Sequence, residues 1–221
     1  MANELAKHEE LRKKTLHAAA KLFLEKGYSN STTREIAQKA GVNVSAMNRA
    51  FKSKDNILCE LVQYVLDGQF QFTKNLLAGI TDDKILYYAA ETTLQLHMAE
   101  SNEYVRELYA AAYSMPNSSE FIRNAITEWL ADLLKEYFPD YETKDFYLME
   151  IASGGIMRGF MTVPCNMWFT MEQKVEAFLK SSFHVFQIPE EKIREAVEFV
   201  SQFDYQKFAD TIIKDLLERL E

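Results

Sequence analysis

The chain has 221 residues, 48% of them apolar, with 25 Lys+Arg against 33 Asp+Glu and a formal charge of −8. That length holds one or two domains with a sizeable core, and seven Gly, four Pro and no strand-like alternation point to an all-α protein. The charged N-terminus carries no secretory signal, no run reaches the roughly 18 apolar residues of a membrane span, and Cys59 and Cys165 give no disulfide framework, so a reduced, cytoplasmic protein is expected.

Residues 7–26 form the first expected helix, with Leu11, Thr15, Ala18, Ala19, Leu22 and Phe23 at helical spacing, Gly27 as its stop and Tyr28 packing back. Thr32 followed by Glu35 is a capping box for a helix over 33–40. Its stripe is Ile36, Ala37 and Ala40, and Gly41 supplies the left-handed residue that ends it. Val42 turns inward and Asn43 caps VSAMNRAF, two turns that bury Met47 and Phe51. A short helix, a glycine turn and a second short helix make a helix-turn-helix, whose second helix fits a major groove. Asp55 opens a longer helix to Leu77. Beyond it, helices are expected over 83–99 and 102–114. The next spans 118–138, with an Asn117/Glu120 capping box and Pro139 as its stop. Thr143 caps one that runs to Val163, and others follow over 171–187, over 189–201 with Pro189 in its first turn, and beyond an Asp204 cap. No internal repeat or low-complexity linker interrupts this order.

Charge is unevenly distributed. Residues 1–60 hold 11 Lys+Arg against 7 Asp+Glu, a net of +4, and residues 61–221 hold 14 against 26, a net of −12. A basic module on an acidic body can approach nucleic acid only with its basic face leading.

The segment Arg12–Val62 resembles the N-terminal domain of TetR-type (tetracycline-repressor family) transcriptional regulators. The match rests on Ala19, Leu22-Phe23, Gly27-Tyr28, Thr32-Thr33, Ile36-Ala37, Ala40-Gly41-Val42, Phe51 and Lys54, and covers about a quarter of the chain. The resemblance implies a three-helix DNA-binding head over 1–54 and a helical effector-binding and dimerisation body over 55–221. Thr33, with the N-terminus of its helix, and Lys54 occupy the family's phosphate-contacting positions; Arg34 is a further candidate. Val44, Ser45, Ala46, Asn48 and Arg49 take the exposed positions of the recognition helix. There Arg49 suits guanine, Asn48 adenine, and Val44 or Ala46 a thymine methyl. The family usually has Tyr where this chain has Asn48, which leaves open whether Asn48 replaces a backbone contact or turns to a base. Arg12, Lys13 and Lys14 are either phosphate contacts or plain solvated surface.

Between 87 and 137, aromatic residues with polar tips and flexible Met residues suit either an adaptable pocket or ordinary helical core. The resemblance favours a pocket, for which His97, Tyr113, Trp129 and Arg158 are the expected lining; for Arg158, an acidic partner in the body is the other reading. The run 145–163 is apolar nearly all round and carries Gly154, Gly155 and Gly159. Each costs about 0.5–1 kcal/mol relative to Ala, which close helix–helix approach would offset. The resemblance implies that this helix and the next meet their symmetry mates in a homodimer interface through Ile151, Gly155, Phe160, Phe178 and Phe183; ordinary monomer core is the other reading. Phosphate loops, nucleophile elbows and metalloprotease motifs are missing from the sequence, and His97 with Glu100 makes a poor metal pair, so no catalysis, cofactor or metal is expected. The expectation is a dimeric, effector-responsive repressor on a pseudo-palindromic operator. The rival is a helical scaffold of the same fold that has lost operator binding.

Overall fold

The structure is a computed structural model that describes residues 2–220, and these form eleven helices. In order they are α1 (Ala2–Lys26), α2 (Thr33–Ala40), α3 (Val44–Phe51), α4 (Lys54–Leu77), α5 (Lys84–Glu100), α6 (Glu103–Ala112), α7 (Pro116–Leu134), α8 (Thr143–Thr162), α9 (Met171–Val185), α10 (Glu190–Val200) and α11 (Tyr205–Leu220). Helix α1 runs back to Ala2 rather than starting near residue 7; its first turns are charged, so hydrophobic periodicity could not mark them.

Three caps differ from expectation. Pro116, with its preset φ, opens α7, so Asn117 lies inside the helix and forms no capping box. That helix stops at Leu134, where the Lys135 Nζ holds the Pro139 and Tyr141 carbonyls at 3.0 and 2.6 Å. Glu142 rather than Thr143 caps α8, its amide bonded by the Asp145 carboxylate at 2.9 Å, and Pro189 sits one position before α10. Asp204 does cap α11, accepting from the Lys207 amide at 3.2 Å.

Two cores organise the packing. One joins Leu16, Phe23, Ile36, Met47 and Phe51 of α1–α3 to Leu58 and Leu61 of α4. Ala112 of α6 and Ile122 of α7 also enter it, so the packing does not divide at residues 54/55. The other surrounds α5, in which 13 of 17 residues are buried and none is exposed. A helix apolar on every side must be enclosed, and α4, α8, α9, α10 and α11 enclose it.

Head and body are fastened at two places. Asp55 at the start of α4 accepts the Asn117 amide at 2.9 Å and the Ser118 hydroxyl at 3.1 Å, a carboxylate against the positive end of α7. Glu107 of α6 accepts the Ser29 amide at 2.7 Å. Its carboxylate lies over Gly27, where φ is +86° and a Cβ would come within 2.0 Å of Glu107 Oε2. In the body, Lys174 is 1% exposed; its Nζ meets Glu100 and the Val163 carbonyl, each at 2.6 Å. Glu100 also takes Arg106 at 2.9 Å and the Cys165 amide at 2.9 Å, which ties α5, α6, α9 and the α8–α9 loop together.

Candidate nucleic-acid interface and internal cavity

The helix-turn-helix is assembled by local bonds that the sequence specifies. Thr32 Oγ1 accepts the Glu35 amide at 3.2 Å, and Glu35 Oε2 accepts the Thr32 amide at 2.9 Å. Lys26 sits 2.6 Å from the other Glu35 oxygen, and this bond with those to Thr32 holds the Glu35 carboxyl down at about 2. Gly41 closes α2 at φ +65°, and the Asn43 side chain accepts the Ser45 and Ala46 amides at 2.8 and 3.3 Å. With Met47 and Phe51 buried, α3 turns Val44, Ser45, Asn48 and Arg49 to solvent and leaves Ala46 half-buried. Thr33 is half-buried in the first turn of α2, and Arg34 beside it is exposed. Among the described residues, neither Arg34 nor Arg49 enters an intramolecular ion pair.

Lys54 departs from expectation. Its Nζ donates to the Tyr28 and Ser31 carbonyls at 2.8 and 2.9 Å and lies 4.1 Å from the Tyr28 ring centroid, so it is an internal clamp on the α1–α2 loop. Burial pushes its pKa down. Arg12 is likewise turned inward: it pairs with Glu60, donates to the Ala50 carbonyl at 3.0 Å and stacks over Phe51. Lys13 and Lys14 stay at the surface, Lys14 paired with Glu10 at 2.6 Å.

The four expected pocket residues do not converge. Tyr113 and Trp129 share one internal cavity of about 30 Å³, while His97 borders a separate cleft of about 230 Å³, stacked on Tyr205 with its Nδ1 2.9 Å from the Thr93 carbonyl. Arg158 is exposed on the outer side of α8 and, among the described residues, pairs with no acid, so both readings of it are corrected. The cavity around Trp129 has aromatic walls: Trp129 stacks on Phe70 at 5.0 Å and on Tyr88 at 6.0 Å. A second chamber of about 60 Å³ lies between α4, α5 and α6, with Gln69 and Tyr109 in its wall. Leu66, Gln95 and Tyr113 line both chambers, and Gln95 Nε2 donates to the Tyr113 hydroxyl at 3.2 Å across the partition.

Sequence reasoning missed the acids of this site. Glu91 is 3% exposed and accepts the Thr73 hydroxyl at 2.6 Å; burial pushes its pKa up to about 7. Glu150 is 5% exposed, and burial, only partly offset by Arg123 and by a bond from Ser153, pushes it up to about 8. The available signal was a lone acid inside an apolar run, in LYYAAETTLQL and in FYLMEIASG. Gly154 borders this site as well: a Cβ there would stand 2.6 Å from Glu150 Oε1, so a side chain at this position would make the carboxyl shift.

The expected association residues also separate. Phe178 and Phe183 are fully buried in the core, because the apolar stripe of α9 packs onto α5 and α8 while its outer side carries Glu172, Glu176 and Lys180. Ile151 and Gly155 are exposed, and Phe160 is half-buried against Phe178 with centroids 6.2 Å apart. An apolar outer surface remains on α8 and the following loop, with Leu148 63%, Met167 80% and Trp168 82% exposed.

A three-helix head with an exposed recognition helix on an all-helical body defines a helix-turn-helix regulator. Residues 16–61 match the family model for bacterial regulatory proteins of the tetR family, so this region is similar to the DNA-binding part of those transcriptional regulators. It is 26% identical over 153 residues to YttP of Bacillus subtilis, described as a probable HTH-type transcriptional regulator, a match spanning 68% of each chain. It is 32% identical over 82 residues to the HTH-type transcriptional repressor KstR2 of Rhodococcus jostii, covering 37% of this chain and 40% of that one. In fold it is similar to RolR, solved in complex with resorcinol, with a TM-score of 0.67 at 14% identity over 90% of this chain and 97% of that one. Among the described residues, no helix is long and apolar enough to cross a membrane.

Proposed function

We propose that the protein is a cytoplasmic homodimeric repressor that binds a pseudo-palindromic operator and is released by a small-molecule effector. The DNA-binding module is residues 1–54 with the N-terminal part of α4, and the rest of the chain is the effector-binding and dimerising body. Two copies of α3 would enter successive major grooves. Val44, Ser45, Ala46, Asn48 and Arg49 would read base edges, while Thr33, Arg34 and the N-terminus of α2 would hold phosphates. Lys54 supports that surface from behind. Ile151, Gly155 and Phe160, with Leu148, Met167 and Trp168, form the face offered to the second copy.

The observation that carries the regulatory part is the placement of α4. Its Leu58 and Leu61 belong to the head's core, while its Leu66, Gln69 and Thr73 reach the internal chambers and Glu91. A ligand that fills the chambers therefore presses on the same rigid element that sets the head. Coupling of this kind is typically about 1–3 kcal/mol. Selection from random duplexes should return a two-fold symmetric site, with log affinity falling against log salt by about 0.9 per phosphate neutralised. Arg49→Ala should relax preference at one base position in each half-site. A flat salt response with no selected sequence would refute operator binding and favour the scaffold reading.

A further inference from the structure

We propose that the internal chambers take an organic cation, an ammonium group carried on an apolar or aromatic body, with Glu91 and Glu150 as its counter-charges. The inference rests on the reading of the body as effector-binding and names the chemical class of that effector.

Two carboxyls from different helices, α5 and α8, line the cavity of Trp129. Among the described residues, neither has a Lys, Arg or His within salt-bridge distance. Carboxylates in an apolar interior are destabilising by several kcal/mol unless compensated, and here only Arg123 and a Ser153 bond for Glu150 and the Thr73 hydroxyl for Glu91 offset that cost in part. Gln69 gives an independent pointer to a ligand. It is 0% exposed, in the wall of the adjoining chamber, and its Oε1 has no hydrogen-bond partner. Once ionised, the two carboxyls offer acceptors beside the unpaired Gln69 Oε1, so a ligand that displaces their protons brings N–H donors and positive charge. The remaining wall fits the same ligand: Phe70, Tyr88 and Trp129 offer π faces, which attract a cation within about 6 Å. An anionic ligand would meet two acids and an unpaired carbonyl oxygen. Gln95 and Tyr113 line both chambers, so a ligand larger than either would have to part the Gln95–Tyr113 bond to span them.

The experiment titrates the full-length protein with three compounds of one shape, phenethylammonium, phenethyl alcohol and propylbenzene, read by calorimetry. Trp129 fluorescence in a Trp168→Phe background gives a second readout. The ammonium should bind about tenfold or more tighter than either neutral compound. Glu91→Gln and Glu150→Gln should each shrink that advantage and leave propylbenzene unchanged, and neither should lower the melting temperature, because each replaces a buried acid with a neutral amide. Protons compete with the cation at these carboxyls, so ammonium affinity should fall as pH is lowered below about 7–8 while propylbenzene affinity stays level. The groups facing the two acids are Thr73 of α4, Tyr87 of α5, Tyr109 of α6 and Tyr205 of α11 for Glu91, and Arg123 of α7 with Tyr88, Tyr113 and Ser153 for Glu150. Among these the tyrosines are held above their usual range, so the carboxyls alone titrate in that window. Equal or tighter binding of the alcohol or hydrocarbon by the wild-type protein would overturn the inference, as would no binding of any of the three up to millimolar concentration. Operator selection run in parallel separates the two readings: a protein that selects an operator but does not prefer the ammonium loses only the cation site.

Discussion

Glu100→Ala is the most incisive test of how the body is held together. Lys174 is 1% exposed and has two hydrogen-bond partners, the Glu100 carboxylate and the Val163 carbonyl, with the Phe169 ring centroid 5.4 Å from its Nζ. Removing Glu100 leaves a buried ammonium with one neutral acceptor and also strips the Arg106 guanidinium and the Cys165 amide of theirs. Breaking a buried pair from one side costs about 3–5 kcal/mol. In a chain of this size each kcal/mol moves the melting temperature by about 2–4 °C, so a fall of about 6–20 °C is expected. Urea and thermal unfolding should be followed by circular dichroism at one fixed protein concentration, because the proposed dimer would add to apparent stability. Lys174→Met is the control. It removes the buried charge and leaves Glu100 paired with Arg106, and it should cost much less than Glu100→Ala. The acid arm has a definite sign. Burial alone would raise the Glu100 pKa, but Lys174, the Cys165 amide and Arg106 together hold it below the usual carboxylate range. Its contribution is therefore complete above that range and lost as pH falls through the lowered value, and the Glu100→Ala protein should lack this acid-sensitive component. A loss below about 1 kcal/mol, the size of an exposed pair, would refute the reasoning.

Other outcomes follow from single contacts. Lys54→Met should cost about 1–3 kcal/mol by leaving the Tyr28 and Ser31 carbonyls without their donor. It should leave the salt slope of DNA binding unchanged, whereas Arg34→Ala should reduce that slope by about 0.9; the reverse pattern would return Lys54 to the DNA surface. Thr32→Ala should cost about 1 kcal/mol through loss of the α2 cap, and an unaltered urea midpoint would contradict the capping box. Gly68→Ala should stabilise by about 0.5–1 kcal/mol, since nothing lies within 4 Å of its added Cβ. Gly154→Ala should fail to gain in the wild-type protein but gain in a Glu150→Ala background, and additivity between those two changes would dissociate the glycine from the carboxyl.

The head was legible because its determinants are local. The Thr32/Glu35 box, Gly41 and Asn43 act within four residues of themselves, and each bond they imply is present. The order of the body helices was legible for the same reason, with errors at helix ends: Pro116 displaces the Asn117 cap, Glu142 rather than Thr143 caps α8, and α7 stops at Leu134. What the sequence withheld is which face of each helix is covered. Arg158 and Glu150 sit two turns apart on one apolar-looking helix, and only the packing of α5 and α7 decides that the acid lies inside and the base outside. Phe178 and Phe183 read as an association stripe until α5 is seen to take them. Lys54 was assigned by family position, and two carbonyls from a loop more than twenty residues away in the sequence claim it.

The enclosure of α5 separates two kinds of heritable change. No residue of that helix is exposed, and Tyr88, Glu91, Thr92, Gln95 and Met98 line the chambers, so a substitution at one of these five reshapes the chambers while leaving the outer surfaces of α3 and α8 as they are. On the function proposed above, ligand preference could therefore drift while the operator and the pairing of subunits stay fixed, and the reverse would hold for changes in α3. Libraries confined to residues 85–99 would retune what the protein senses and leave what it regulates alone.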